Sequence, residues 1–460
     1  MIGTGVRLVL LAFVLAAAVY QVAQVRRFWA FLFVFIVLFP KIGLAAVPGN
    51  TTPIRVDDLV LGLVIGGWLI REALVARRDA LPPSPSPVTP FLAGYLFCAA
   101  ASTLLGIAAL RITWTTAAAH FLRISEYILL YYYFYRAIDP DDLERFKALF
   151  RNTWLIVAAI WIAQHFIGAS AQIPGAFIDQ SSYAPSFSAS YDFGGYAMIA
   201  TAVCYGLWTD PRTRDWLVTA SLLSGLYIVF NGDSRAAFLG LAAAIVFDLF
   251  LRLRVKVAVG LLGVAAALPY LISSAKMARL FDVIGELLTT MDPATVQRAF
   301  FNDPSIGIRL RNWQVALERW RASPLLGDGL GAFLQYVKIY DVQGTPDGWY
   351  IRMLAEVGLV GLLAFVMTIG CLLWTLLTAY RAIEEPLPRA IVYAAALTVI
   401  ATATDALLLD TFVSYKIMGV FWMVMAVGTH VAARRPRTDD AHAPLRAPRG
   451  LGAPTPRGAL

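Results

Sequence analysis

The sequence is a succession of long apolar runs punctuated by short clusters of arginine. Crossing a bilayer takes about 20 mostly apolar residues, and inside lipid the backbone must satisfy its own hydrogen bonds, which leaves helix bundles and closed barrels. Barrel strands alternate apolar and polar residues in short segments. Here the runs are continuous and rich in Leu, Ala and Gly, so a barrel is excluded. The chain is 59% apolar and 15% charged, against about 45–50% and about 25% in soluble domains. The fold class that follows is all-α, a polytopic membrane helix bundle of about 12–13 spans.

The expected spans are 6–23, 28–44, 59–70, 91–110, 117–135, 154–167, 195–208, 217–230, 236–251, 257–272, 354–379, 390–409 and 417–433. Arg7 precedes the first, which lacks a small-x-small cleavage site and is expected to be retained. Basic residues occupy alternate connections: Arg26 and Arg27, Arg71 to Arg78, Arg136 to Arg151, Arg212 and Arg214, Arg252 to Lys256, Arg381 and Arg389, and the tail from Arg434. That bias marks cytoplasmic loops. It accounts for the net charge of +8 without nucleic acid as a partner. Cys98, Cys204 and Cys371 all fall inside spans, so no disulfide framework or zinc spacing arises.

Residues 1–433 thus form a transmembrane domain and 434–460 a disordered cytoplasmic tail of Pro, Ala, Arg and Gly. The opposite side receives the loop 168–194, the turn Asn231-Gly232-Asp233-Ser234-Arg235, and one long loop, 273–350. Leu280, Phe281, Ile284, Leu287 and Leu288 recur in that loop at the spacing of a helix lying in the interface plane.

The same loop holds most of the candidate chemistry. A helix from about Ile308 to Ala322 places Arg309, Trp313, Ala316, Leu317 and Trp320 on one face, and Arg311, Gln314, Glu318 and Arg321 on another. An arginine on an apolar face is costly unless an anion or carboxylate meets it; the alternative is that Arg309 snorkels to headgroups. The run PLLGDGLG, 324–331, reads as a structural turn, since no strand precedes it and no Lys-Ser/Thr ends it. Asp347 precedes the next span, where it serves either as an N-cap or as a proton acceptor opening to the outside. Trp349 and Tyr350 beside it offer faces on which sugars stack. Arg235, after a Gly-Asp-Ser turn at the same level, is either neutralised by Asp233 or paired with Arg309 as a grip on a diphosphate. Asp405 and Asp410 are candidates for pairing a buried arginine. Arg123 and Glu126 are expected to satisfy each other, and His120 and His165 lack metal-ligand spacing.

Ser234-Arg235 opening a span, Arg309 with Trp313 followed by PLLGDGLGAF, and Asp347-Gly-Trp-Tyr followed by LAEVGLVG resemble the O-antigen ligase and polymerase superfamily of bacterial inner-membrane proteins. The motifs cover about Phe230 to Phe365. The resemblance implies a metal-independent, cofactor-free glycosyltransferase that uses undecaprenyl-diphosphate-linked glycans at the periplasmic face. In the ligase branch a histidine usually stands where Asp347 stands here, which favours the polymerase branch. The expected activity is polymerisation of O-antigen or exopolysaccharide repeat units with inversion. Asp347, Arg309 and Arg235 would be catalytic, and Arg311, Trp313, Trp349, Tyr350, Asp192 and Asp405 would bind substrate. The expected partners are the bilayer, the lipid-linked glycan as donor and acceptor, and a chain-length regulator. Transfer of finished glycan to lipid A core or another acceptor is the alternative. A transporter or flippase is a reading of another class, against which stands the absence of a detectable inverted repeat.

Overall fold

A computed structural model describes residues 28–39, 43–45, 54–75, 86–167, 190–232, 234–252, 304–339 and 347–434. The described chain is a helix bundle. In order it runs α1 (Phe28–Leu38), α2 (Val56–Val75), α3 (Thr89–Ala108), α4 (Trp114–Ala137), α5 (Leu143–Ile167), α6 (Ser190–Trp208), α7 (Trp216–Asn231) and α8 (Arg235–Arg252), then α9 (Pro304–Ala322), α10 (Phe333–Ile339), α11 (Trp349–Ala382), α12 (Pro386–Asp405) and α13 (Tyr415–Ala433). A two-stranded antiparallel pair, Gly43–Ala45 with Ile54–Arg55, joins α1 to α2 and leaves the class unchanged. Every expected span except 6–23 and 257–272 overlaps a described helix, but the helix in 28–44 ends at Leu38 and residues 43–45 pair as a strand instead; those two spans, the interfacial helix near 280–288, Asp233 and the tail beyond 434 lie outside the described residues.

Helices α3, α5, α11, α12 and α13 are each long and apolar enough to cross a membrane, and the chain is a multi-pass membrane protein. Their outer faces carry bare apolar side chains such as Phe97, Leu104 and Met367, as a lipid solvent requires. Exposed Trp114 and Phe166 lie toward one end of the bundle, and exposed Trp216 and Trp374 toward the other, like the aromatic belts of two interfaces.

The basic clusters are drawn together at one end. Lys147 and Arg151 of α5 share Asp215 before α7, at 3.3 and 2.9 Å. His430 Nδ1 of α13 lies 2.7 Å from the Tyr135 carbonyl of α4. Arg252 of α8 pairs with Asp248 and stacks on Tyr393 of α12, while Arg389 stacks on Tyr380 of α11. All are helix ends that the alternation of charge assigned to one side, and their contacts follow from the up-and-down path of the chain.

Helix α11 is 34 residues long, about 51 Å at 1.5 Å per residue, more than the roughly 30 Å of a hydrocarbon core. It is broken at Gly358, whose φ of 71° is left-handed. A break leaves backbone groups orphaned, and PLLGDG meets them. Asp328 and Gly329 amides donate to the Ala355 and Glu356 carbonyls at 3.0 and 2.8 Å, and the Leu359 and Val360 amides donate to the Pro324 and Leu325 carbonyls at 2.9 and 3.1 Å. Ser102 of α3 adds a 2.7 Å bond to the Glu356 carbonyl. The run is thus a turn, as expected, and its backbone repairs a broken helix. Irregular backbone at this depth is tolerated because protein covers it.

Candidate active site

The break sets residues 349–357 apart as a short helix at the end of the bundle remote from the basic clusters, with α9 beside it. The two are joined at both ends. At one, Arg309 Nε donates to Asp347 Oδ2 at 2.9 Å, and the Trp313 indole N–H donates to the Asp347 carbonyl. At the other, Arg319 Nε and Nη2 reach Asp328 Oδ2 at 3.0 and 2.8 Å. Ten residues of α9 thereby lie along nine of α11, about 15 Å against about 13.5 Å.

Asp347 has a φ of 25° and Gly348 a φ of 119°. The tight turn they make needs glycine at 348, because a Cβ there would come 3.1 Å from the Leu407 carbonyl and 3.3 Å from Trp313 Nε1. Gly348 is the N-cap of α11 and no side chain caps it. Asp347 is therefore no helix cap: its carboxylate holds Arg309 and stays one-third exposed, beside a one-quarter exposed guanidinium. The Trp349 amide donates to the Ala406 and Leu409 carbonyls, which anchors the turn on the end of α12.

Arg235 comes to the same end of the bundle. Along α8 and α12, Gly240 packs on Ala401 and Asp248 on Tyr393, so the helices are antiparallel. Five residues before Gly240, about 7.5 Å, Arg235 reaches the level of Asp405, at the end of α12 that carries the Asp347 turn. Ser234 caps α8 by accepting from the Ala237 amide.

The other expected site residues are distributed less simply. Arg311 is exposed with Gln314, Glu318 and Arg321, on the face opposite buried Ala316, so it does not point with Arg309. Trp349 is only 2% exposed and packs against Phe365 and Phe412, and the Tyr350 hydroxyl binds the Ala403 carbonyl. Trp349 thus offers no open face to a sugar: the chain turns it inward to cover the anchor on α12. Asp405 is fully buried and accepts from the Thr411 hydroxyl. The acid that pairs with a buried arginine is Asp410, 2.8 Å from Arg352. Asp192 lies in the first turn of α6. Arg123 and Glu126 form no ion pair with each other, the arginine lining a cleft instead.

Two charged clusters escaped sequence reasoning. Arg352, 2% exposed, lies between Asp410 and Glu356, the latter at 3.1 Å. Its signal was an opposite-charge pair at i, i+4 in an otherwise apolar run. Asp328 is wholly buried and accepts from Arg319, from the Tyr336 hydroxyl and from Arg111 at 2.6 Å. Burial and the Asp328 carboxylate both push the Tyr336 hydroxyl up. Nothing local marked residues 111, 319 and 336 as partners of 328. Among the described residues, no group of three or more His, Cys, Asp or Glu is placed to hold a metal.

The site is a carboxylate gripped by an arginine at the end of a membrane bundle, built from a broken helix and the Gly-rich turn that mends it. No curated protein matches the chain. Residues 220–366 match the family described as O-antigen ligase, a stretch that contains Arg235, Arg309, Asp328, Asp347 and the Gly358 break. That stretch, about a third of the chain, is similar to the O-antigen ligase family and supports the resemblance its motifs indicated.

Proposed function

We propose that the protein is a glycosyltransferase of the bacterial inner membrane that polymerises undecaprenyl-diphosphate-linked oligosaccharide repeat units at the periplasmic face. The observation that carries this reading is the Arg309–Asp347 pair, partly exposed at the end of the bundle opposite the basic, cytoplasmic loops and inside the family match. A hydroxyl at the non-reducing end of one lipid-linked unit attacks the anomeric carbon of another glycan. Asp347 takes the hydroxyl proton, the new glycosidic bond forms with inversion, and the carrier diphosphate leaves with the electrons of the broken bond. The leaving group is already activated, so positioning, charge neutralisation and a base are what the protein supplies.

Arg309 engages Asp347 through Nε, which keeps the side chain oriented and leaves its terminal nitrogens for a phosphate oxygen. Arg235, at the same level, supplies the second guanidinium, and Arg311 a more peripheral positive charge. No metal is assigned a role, and turnover is expected to persist in excess chelator. A chain-length regulator is the expected protein partner.

The family's own description favours a second reading, ligation of finished glycan to lipid A core or another acceptor. Glycan length on the carrier separates the two. A polymerase makes multi-unit chains from purified lipid-linked units, whereas a ligase leaves single units until an acceptor is added. Asp347→Asn tests the base. The amide keeps the shape but takes no proton, and general-base steps are worth about 10²–10⁴-fold in rate. Near-normal turnover by the purified variant would remove Asp347 from the chemistry.

A further inference from the structure

Helix α9 meets the Asp347 turn through Arg309 and Trp313, and the proposed chemistry undoes the stronger of those contacts in every turnover. Once Asp347 has taken the hydroxyl proton it carries no charge, so the Coulomb attraction that holds Arg309 to it vanishes. What persists at that end is hydrogen bonding, chiefly the Trp313 N–H on the Asp347 carbonyl. Apolar packing adds little: among the described residues α9 fully buries two apolar side chains, Val315 and Ala316, and both are small.

The other end of α9 is held by a carboxylate that takes no part in the reaction. Asp328 is wholly buried, and Arg319 reaches its Oδ2 through both Nε and Nη2, at 3.0 and 2.8 Å. The Arg319 guanidinium stacks on Tyr336 at 4.8 Å, and the Tyr336 hydroxyl donates to the same carboxylate. Arg111 bridges Asp328 Oδ1, at 2.6 Å, and the Ser323 hydroxyl just past the end of α9. Asp328 is itself fixed, since its amide donates to the Ala355 carbonyl and its own carbonyl packs so closely on α3 that Gly106 there has no room for a Cβ. Charged hydrogen bonds to a carboxylate out of water are strong and directional.

We propose that Arg319 is a positioning residue: gripped by Asp328, it holds α9 in place while Asp347 carries the proton, so that Arg309 stays aligned and its ion pair re-forms when the proton leaves. The inference rests on Asp347 acting as the base, and hence on the glycosyltransferase reading. Helix α9 acts as a rigid arm. A tilt of about 4° at Arg319 carries Arg309, about 15 Å away, through about 1 Å, and a misplacement of that size can cost about 10²-fold in rate.

The test uses the whole purified chain in nanodiscs, with Cys98 and Cys371 changed to alanine and Cys204 left buried. Spin labels are placed on Gln314→Cys, exposed between the two tethers of α9, and on Leu363→Cys, exposed on α11 beyond the break. Asp347→Asn fixes the neutral state of the acid, and Arg319→Met removes the donors while keeping a long side chain over Tyr336. The distance between the labels, read by pulsed electron paramagnetic resonance, should be as narrow in Asp347→Asn as in wild type. In the double variant it should broaden by at least about twofold, more than the two single changes together. Broadening in Asp347→Asn alone, or none in the double variant, would overturn the proposal. In turnover, Arg319→Met should lower kcat at least about tenfold with KM little changed, and Arg319→Lys should recover part of the loss. Tyr336→Phe also removes a partner of Asp328 but leaves α9 tied, so its kcat should stay within about twofold of wild type. Equal losses of kcat in Arg319→Met and Tyr336→Phe would reduce the cluster to a stabilising one and refute the positioning role. If Arg319→Met does not fold, Arg319→Lys, which keeps the charge without the two-nitrogen contact, takes its place in both measurements. The distances are read without turnover, so the expected pattern in a protein that makes no glycan would remove the glycosyltransferase reading alone.

Discussion

Replacing Gly358 with alanine should damage the protein out of proportion to the one methyl group added. The residue sits at φ 71° in the break of α11, and a Cβ there would come 2.3 Å from the Leu325 carbonyl oxygen and 2.5 Å from the Leu326 nitrogen. With ψ at −173° this is the positive-φ region that only glycine ordinarily adopts, and a Cβ there costs about 1–3 kcal/mol. The contact is with backbone, so relief requires the 324–326 segment to retreat and gives up the Leu359-to-Pro324 and Val360-to-Leu325 hydrogen bonds, about 0.5–1.5 kcal/mol each. The sum is about 2–6 kcal/mol. Gly370 in the same helix is the control, since nothing lies within 4 Å of its Cβ and alanine there should range from neutral to about 1 kcal/mol stabilising. Denaturant unfolding of both purified variants, followed by tryptophan fluorescence, measures the difference. Gly358→Ala should also lose activity, because the same segment carries Asp328 and hence the tether of α9. If the two alanine variants unfold at the same midpoint, the helix break is not held by the 324–331 turn and the site geometry built on it fails.

Arg309→Ala should abolish glycan formation while Arg311→Ala weakens it modestly, because only Arg309 meets Asp347; equal tolerance of both at normal expression would refute the helix-face argument. Turnover should be unaffected by excess chelator, and activity restored only by adding back a divalent ion would contradict the metal-free mechanism. Asp215 is pushed up by burial but held below the usual carboxylate range overall by the Val218 amide, Lys147 and Arg151. A lowered folded value means its stabilisation is present above the unfolded value, about pH 3.9, and is lost as pH falls through the folded one. Asp215→Asn should therefore be less stable than wild type at pH 6, with the gap closing in acid; a gap independent of pH would show that the charge at Asp215 contributes nothing.

What the sequence determined by itself is everything that depends on local pattern. Apolar run length placed the described spans, alternation of arginines sorted the helix ends, and 3.6-residue periodicity put Arg311, Gln314, Glu318 and Arg321 on the exposed face of α9. The three motifs also marked the region that holds the site. Partner choice was a different matter. Asp347 could equally have capped a helix or held an arginine, and its left-handed turn, with Gly348 at the cap, decided for Arg309. Asp405 and Asp410 were indistinguishable until Arg352 met one of them. Asp328 collected Arg111, Arg319 and Tyr336 from three separate elements, and the Gly-rich run found its use only against the broken α11. The reason is physical: helix formation and lipid exposure are set by neighbours along the chain, whereas a buried charge takes whichever opposite group packing brings within hydrogen-bonding reach. That group is chosen by how separate segments approach, from a few residues apart, as Tyr336 and Asp328, to more than two hundred, as Arg111 and Asp328, and only the tertiary structure decides it.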